Sequence, residues 1–365
     1  MSGSKRELAF LIASSGQSYA AGNVALGINK YMPPNADYDI FVYYNTFTAA
    51  DIAAFEKIPH VIMHPFSLPP DFVEKIMFKA DKENSRIKTP ASLMAFSHFE
   101  VFSLLEKYKK VIWLDTDMSI QGDISELINF SGFTVTDDGE WTVRSQFLDT
   151  AKITGYDLDR PSICTGLIVA DDSLPYKKLH EWCYSKALEY AECLNMRDQA
   201  IINLALQEFK ITPNIISRNI WQCTTFRPLV HIAKIAHFGT ADAKPWKNSI
   251  VIRHFPEWYR THLEWLKLGG DDFPGHDDID ILNRLKPEHL KGINSLPALE
   301  EKLDQLVTEI NRLHEEERAI HSRIDEIRKD LHERINQLNE EISKKTSLRY
   351  FAGNIKRFIQ KKLLK

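Results

Sequence analysis

The side chains best suited to chemistry lie in two short clusters. The first is Asp115 and Asp117, which directly follow the apolar run VIWL. Residues i and i+2 of an extended backbone project to the same side, so the two carboxylates are expected to converge. At the carboxyl end of a buried strand, where α/β sheets bind ligands, such a pair makes a hard, oxygen-rich site for Mn²⁺ or Mg²⁺ that can bridge to a diphosphate. Asp-X-Asp also arises in plain turns and helix caps, so the pair needs support from elsewhere in the chain. That support is HFGTADAKPW, which begins at His237 and ends at Trp246. His237 is expected to complete the metal shell. The small residues Gly239, Thr240 and Ala241 let backbone N–H groups approach an anion, and Lys244 would neutralise a leaving diphosphate.

Such clusters need a scaffold, and the first 268 residues carry the pattern of one. Leu8 to Ala13 reads as an apolar strand, Ala20 to Tyr31 as a helix, Tyr38 to Tyr44 as a strand and Thr48 to Lys57 as a helix. A helix is expected over Ser92 to Lys107, feeding a buried strand at Lys110 to Leu114. Further strands are expected at Ile163 to Ala170, around Ile211 and at His231 to Phe238, with helices at Tyr176 to Ala191 and Asp198 to Phe209. The alternation predicts an α/β domain over 1–268. Gly, Pro and Asp then dominate 269–297, which reads as a linker.

From Leu299 the apolar residues step by four and three: Leu303, Leu306, Ile310, Leu313, then Ile320, Ile324, Ile327 and Leu331. That seam predicts a coiled coil over 298–343 and a homo-oligomer, with a stutter where Ile335 follows Leu331 by four. Residues 344–365 hold eight Lys or Arg and no acid, with Phe351, Ile355, Phe358 and Ile359 at helical spacing. A basic amphipathic helix of this kind suits an anionic membrane surface.

Three motifs, VIWLDTDMSIQGDI, RDQAIINLAL and HFGTADAKPW, resemble those of glycosyltransferase family 8, the lipopolysaccharide galactosyltransferase and glycogenin group. The resemblance spans residues 1 to about 260. It implies a GT-A fold, a Rossmann-like mixed central sheet with flanking helices, and transfer of a hexose from a UDP-sugar to a saccharide acceptor with retention of anomeric configuration. In that pattern Asp115, Asp117 and His237 would hold Mn²⁺ and Lys244 would bind the diphosphate. Asp198 and Gln199 would lie at the donor sugar as the catalytic pair. Tyr19 would stack on the base. Thr116, His98, Cys164, Gly166 and Gly239 would complete the donor site. The chain also departs from the pattern. Ser14, Ser15, Gly16 and Gln17 replace the acidic residues before Tyr19, and His98 stands where an Arg or Lys is usual. Cys164-Thr165-Gly166 replaces Asn-Ala-Gly, Ala200 replaces an Asp, and the loop after His237 is one residue longer.

Composition narrows the partners. Lys and Arg total 46 against 50 Asp and Glu, a net charge of -4, which gives no overall bias toward nucleic acid, and any such bias must be local. Four cysteines with no CxxC pair and a start unlike a signal peptide predict a reduced, cytoplasmic protein, peripheral on the inner face of the cell membrane. The expected acceptor is then a saccharide or lipid-linked saccharide of a bacterial surface glycan, such as lipopolysaccharide, O-antigen or capsule. Two other readings compete. A strand followed by DTD also resembles haloacid-dehalogenase-type phosphatases, but Asp137 and Asp138 come too soon to be their later acidic pair, and HFGTADAKPW has no role there. The other is a non-catalytic coiled-coil scaffold whose α/β domain binds a nucleotide without turnover and whose heptads and basic tail do its work.

Overall fold

Seven strands form the central sheet of the computed structural model, which describes residues 5–80, 86–225, 227–240, 243–275 and 352–357 and eight helical positions between 323 and 334. The chain divides into two units, Met1–Asn283 and Arg284–Lys365. In the first, the elements in order are β1 (Arg6–Ser15), α1 (Ser18–Tyr31), β2 (Asp39–Asn45), α2 (Ala49–Phe55), β3 (Val61–Pro65) and α3 (Pro70–Lys79). A 3₁₀ helix (Pro90–Phe99) leads into α4 (Glu100–Leu104), β4 (Tyr108–Leu114) and β5 (Met118–Ile120). Next come β6 (Phe133–Thr142), β7 (Pro161–Asp171), α5 (Tyr176–Glu189), α6 (Arg197–Glu208) and β8 (Asn214–Ile216). The last are α7 (Arg218–Trp221), β9 (Cys223–Thr224), β10 (Ile235–His237), α8 (Ser249–His254) and α9 (Pro256–Lys267).

The sheet order is β3-β2-β1-β4-β7-β6-β8. β3, β2, β1 and β4 run parallel, while β7 is antiparallel to both β4 and β6. The sheet is therefore mixed, as expected. Strands covered on both faces read as continuous apolar runs, which is why β1 and β4 were visible in the sequence. Alternation then sorts their side chains: Leu11 and Trp113 enter one core, Phe10, Ile12 and Leu114 the other. α1 packs on α9, where a Cβ on Gly22 would come within 2.5 Å of the Trp265 ring, so only glycine admits that approach.

Three local expectations change. The helix expected over Ser92 to Lys107 is a 3₁₀ turn sequence followed by the short α4. Ser97 Oγ donates to the Met94 carbonyl (2.6 Å) and His98 Nδ1 meets that of Ala95 (2.7 Å), so side chains compete for the carbonyls a longer α-helix would use. The strand expected around Ile211 forms instead at β8, and the one expected from His231 shrinks to β10. Part of the predicted linker is bound to the first unit: the Asp271 N–H donates to Asp51 Oδ1 (3.0 Å), and Asp272 Oδ1 meets His262 Nε2 (2.8 Å). In the second unit the described residues are helical, with Ile327 and Leu331 exposed. The rest of the heptad region and of the basic tail lies outside the described residues.

Candidate active site

Asp115 and Asp117 sit just past the carboxyl end of β4, at the edge of a cleft of about 710 Å³. The backbone does not stay extended there. It turns through Thr116 and Asp117 and re-enters strand geometry at β5. What brings the second cluster in is the small sheet β5-β10-β9, in which β10 runs antiparallel to β5 with Met118 opposite His237. The Phe238 N–H donates to the Asp117 carbonyl (2.8 Å), locking that register. His237 Nε2 consequently lies 3.2 Å from Asp117 Oδ1 and 3.9 Å from Asp115 Oδ2.

Among the described residues, Asp115, Asp117 and His237 form the one group of carboxylate and imidazole side chains that could hold a metal ion, their ligand atoms all within 4.8 Å of one another. Two carboxylates and a neutral imidazole suit Mn²⁺ or Mg²⁺. Lys244 reaches the same point and forms an ion pair with Asp117 Oδ2. Burial works against the Asp117 charge, yet the facing His237 and Lys244 hold its carboxyl well below the usual carboxylate range.

Asp115 is fixed from the other side. Trp113 Nε1 donates to Asp115 Oδ1 (2.7 Å), and His98 Nε2 lies 3.1 Å from the same oxygen. The His98 ring stacks on Trp113 at 3.8 Å between centroids and turns Nδ1 toward Asp198 Oδ2 (3.3 Å). Burial lowers the His98 pKa, but Asp198 and Asp115 outweigh it and the net shift is upward. An imidazole thus bridges two acids, which favour its charged form, at the position where the sequence carries His in place of Arg or Lys.

Asp198 and Gln199 lie in the first turn of α6 and face β7. Thr165 Oγ1 donates to Asp198 Oδ2 (3.0 Å), the Thr165 N–H donates to Gln199 Oε1 (3.3 Å), and Gln199 Nε2 donates to Asp138 Oδ2 (2.8 Å). Burial holds Asp138 above the usual range, although Ser162, Arg218 and Gln199 pull it down. Cys164 lines the cleft with its thiol pushed up to about 12 by burial. Gly166 lies beneath Asp115, whose N–H donates to its carbonyl (2.9 Å), and a Cβ there would run into Gln222 and Asp115 Oδ2. Gly239 passes over the His237 ring, and Thr116 and Thr240 line the opening.

Tyr19 is the predicted residue that is not brought to this cleft. It is 6% exposed, its ring packs edge-on against Trp246 (5.6 Å) and Phe273 (6.1 Å), and burial pushes its phenol up to about 12. Helix α1 carries it into the core, and Trp246 lines the cleft instead. Arg86 and Arg197 also line the cleft and Gln222 lies behind it, none of them singled out from the sequence, and Asp138, weighed there only for the phosphatase reading, lines the cleft as well. Arg197 is half-buried, with a guanidinium pKa lowered by burial, and donates to the Ser92 carbonyl (2.8 Å). Its one signal was its place immediately before Asp198. Gln222 is fully buried behind His237 and had none.

The family model Glycosyl transferase family 8 matches residues 13–140, a stretch that includes both aspartates of the first cluster. No curated protein matches the sequence. Among solved structures, the galactosyltransferase LgtC in complex with donor and acceptor sugar analogs aligns at a TM-score of 0.52 and 14% identity, covering 71% of this chain and 99% of that one. The bifunctional glycosyltransferase WbbM aligns at 0.48 and 15%, covering 76% of this chain and 52% of that one. GlyE of Streptococcus pneumoniae TIGR4 aligns at 0.47 and 14%, covering 73% and 62%. The chain therefore spans about half of WbbM and nearly all of LgtC. The likeness to LgtC shows a GT-A fold, and the family resemblance read from the sequence holds over 13–140.

Proposed function

We propose that the chain is a metal-dependent hexosyltransferase that moves a sugar from a nucleoside-diphosphate donor, with UDP as the nucleotide, to a saccharide acceptor of a bacterial surface glycan. The observation that carries this reading is the meeting of Asp115, Asp117, His237 and Lys244 at one point beyond β4. The fold supports it, because open α/β sheets bind ligands at the carboxyl ends of their strands. Residues 13–140 match a glycosyltransferase family, and the LgtC structure that shares the fold was solved with donor and acceptor sugar analogs.

A divalent cation held by Asp115, Asp117 and His237 would supply Lewis-acid stabilisation of the leaving diphosphate. The chain's own groups set up the rest. The Lys244 ammonium, paired with Asp117 until the anion arrives, is free to turn toward a phosphate oxygen. His98 keeps Asp115 and Asp198 apart in charge and fixed in direction. Asp198 is matched by His98 and Thr165, and the Gln199 amide is held at both ends, so neither is an activated nucleophile. This supports a same-face displacement in which the departing phosphate guides the acceptor hydroxyl, with retention of configuration. Trapping a covalent sugar on Asp198 or Gln199 in the wild-type protein would overturn that step.

The direct test is Mn²⁺-dependent release of UDP from a panel of UDP-sugars. Asp115→Asn and Asp117→Asn should each lower it by at least roughly 100-fold, since metal Lewis-acid stabilisation supplies several kcal/mol and 1.36 kcal/mol is tenfold. Thermal unfolding should show both variants folded. Release that survives both substitutions contradicts the assignment.

A further inference from the structure

We infer that Gln222 is a positioning residue for the metal site, fixing which nitrogen of His237 carries the proton and so whether the ring can ligate. The inference rests on the metal reading above and extends it to a residue outside the ligand set. Gln222 has no solvent exposure, and its amide touches three groups. Thr136 Oγ1 donates to Oε1 (2.6 Å), while Nε2 lies 3.0 Å from Cys164 Sγ and 3.1 Å from His237 Nδ1. A Cβ at 166 would come within 2.3 Å of the Gln222 amide nitrogen, so a side chain there would displace this amide.

Ring chemistry makes the contact decisive. His237 turns Nε2 toward Asp117 and Asp115, so Nε2 must offer a lone pair to a cation and Nδ1 must carry the hydrogen. A protonated Nδ1 needs an acceptor, yet the amide presents Nε2, a donor, to it. In that arrangement the proton sits on Nε2 and is donated to Asp117 Oδ1 at 3.2 Å, which occupies the ligand position. For the ring to ligate, its one proton must leave Nε2 and one must be taken up at Nδ1, with no net change in protons. Half a turn of the Gln222 amide, which exchanges its ends, accommodates the new tautomer. Oε1 then accepts from His237 Nδ1–H, and Nε2 donates to Thr136 Oγ1, whose hydroxyl rotates to suit. Loading of the site and the flip of a buried amide are therefore one event. Outer partners of ligating histidines act in this way on affinity as well as orientation.

Two substitutions separate the possibilities. Gln222→Met keeps the volume and removes the acceptor. Gln222→Glu keeps the shape and presents only acceptors, which Thr136, Cys164 and His237 Nδ1 can all serve as donors. Mn²⁺ binding to the full chain, followed by electron paramagnetic resonance of free Mn²⁺ without any donor sugar, should be about 10- to 100-fold weaker in Gln222→Met. In Gln222→Glu it should be equal to or tighter than wild type. Long-range ¹⁵N–¹H correlation of the His237 ring without metal should show Nε2–H in wild type and Nδ1–H in Gln222→Glu. Mn²⁺ affinity within twofold of wild type in a folded Gln222→Met overturns the inference while leaving the metal site standing, as does a Gln222→Glu variant as weak as Gln222→Met. Wild-type protein that binds no Mn²⁺ overturns the metal reading itself.

Discussion

Each acid in the cleft has its own set of compensating groups, and the sets divide the labour. The half-buried Asp117 is faced by His237 and Lys244, which hold its carboxyl well below the usual range against the effect of burial. Asp115 is steered by an indole N–H and an imidazole, which fix its direction. Lys244 is the cation nearest the ligand point, so Lys244→Gln should lower donor turnover by roughly 10²-fold, as loss of one preorganised charge partner does. Stopped-assay UDP release checks this, and turnover within threefold of wild type would remove Lys244 from the mechanism. Away from the cleft, the half-buried Glu100 has its carboxyl held below the usual glutamate range: burial pushes it up, but hydrogen bonds from His180, Ser103 and Tyr184 outweigh that. A carboxyl lowered in the folded state stabilises above its unfolded pKa, and that contribution is lost as pH falls through the folded value. Glu100→Gln should therefore flatten the fall in melting temperature as pH drops below the ordinary glutamate pKa. An unchanged acid limb would contradict that assignment.

At the scale of elements, the two-stranded contact of β5 with β10 does what β4 cannot do alone. β4 delivers the aspartates just past its carboxyl end, and the small sheet delivers His237 to them across more than 100 residues of chain. The loop after β10 then returns Lys244 to the same point. The helices on that face are held by close backbone approaches. Adding a methyl at Gly22 drives a Cβ into the Trp265 ring, so Gly22→Ala should cost about 1–3 kcal/mol, the usual range for overpacking. Chemical denaturation reads this directly. No loss of stability would mean that α9 can slide away from α1 freely.

On the scale of the whole chain, the catalytic reading is confined to the first unit, and the second carries separate proposals. No helix among the described residues is long and apolar enough to cross a membrane. We propose that the heptads from Leu299 assemble copies of the chain and that the basic tail docks on an anionic bilayer. Removing 344–365 should shift the protein from membrane to soluble fractions with turnover on a soluble acceptor little changed. Removing everything from Leu299 should yield a monomer in sedimentation. A full-length chain that already sediments as a monomer refutes assembly, and unchanged partitioning refutes the membrane role.

The sequence by itself determined whatever depends on near neighbours along the chain. Doubly covered strands such as β1 and β4 appear as apolar runs, and DTD and HFGTADAKPW announce their donor atoms by residue type. Tertiary structure alone decided what depends on distant segments meeting. The β5 and β10 register sets the distance from His237 to Asp117, and side-chain competition for carbonyls makes 90–99 a 3₁₀ segment that aims His98 at two acids. Packing buries Tyr19 in the core, and only a three-way contact gives Gln222 a role. Local patterns encode period and donor type, whereas burial and tautomer are set by neighbours that no spacing in the chain reveals.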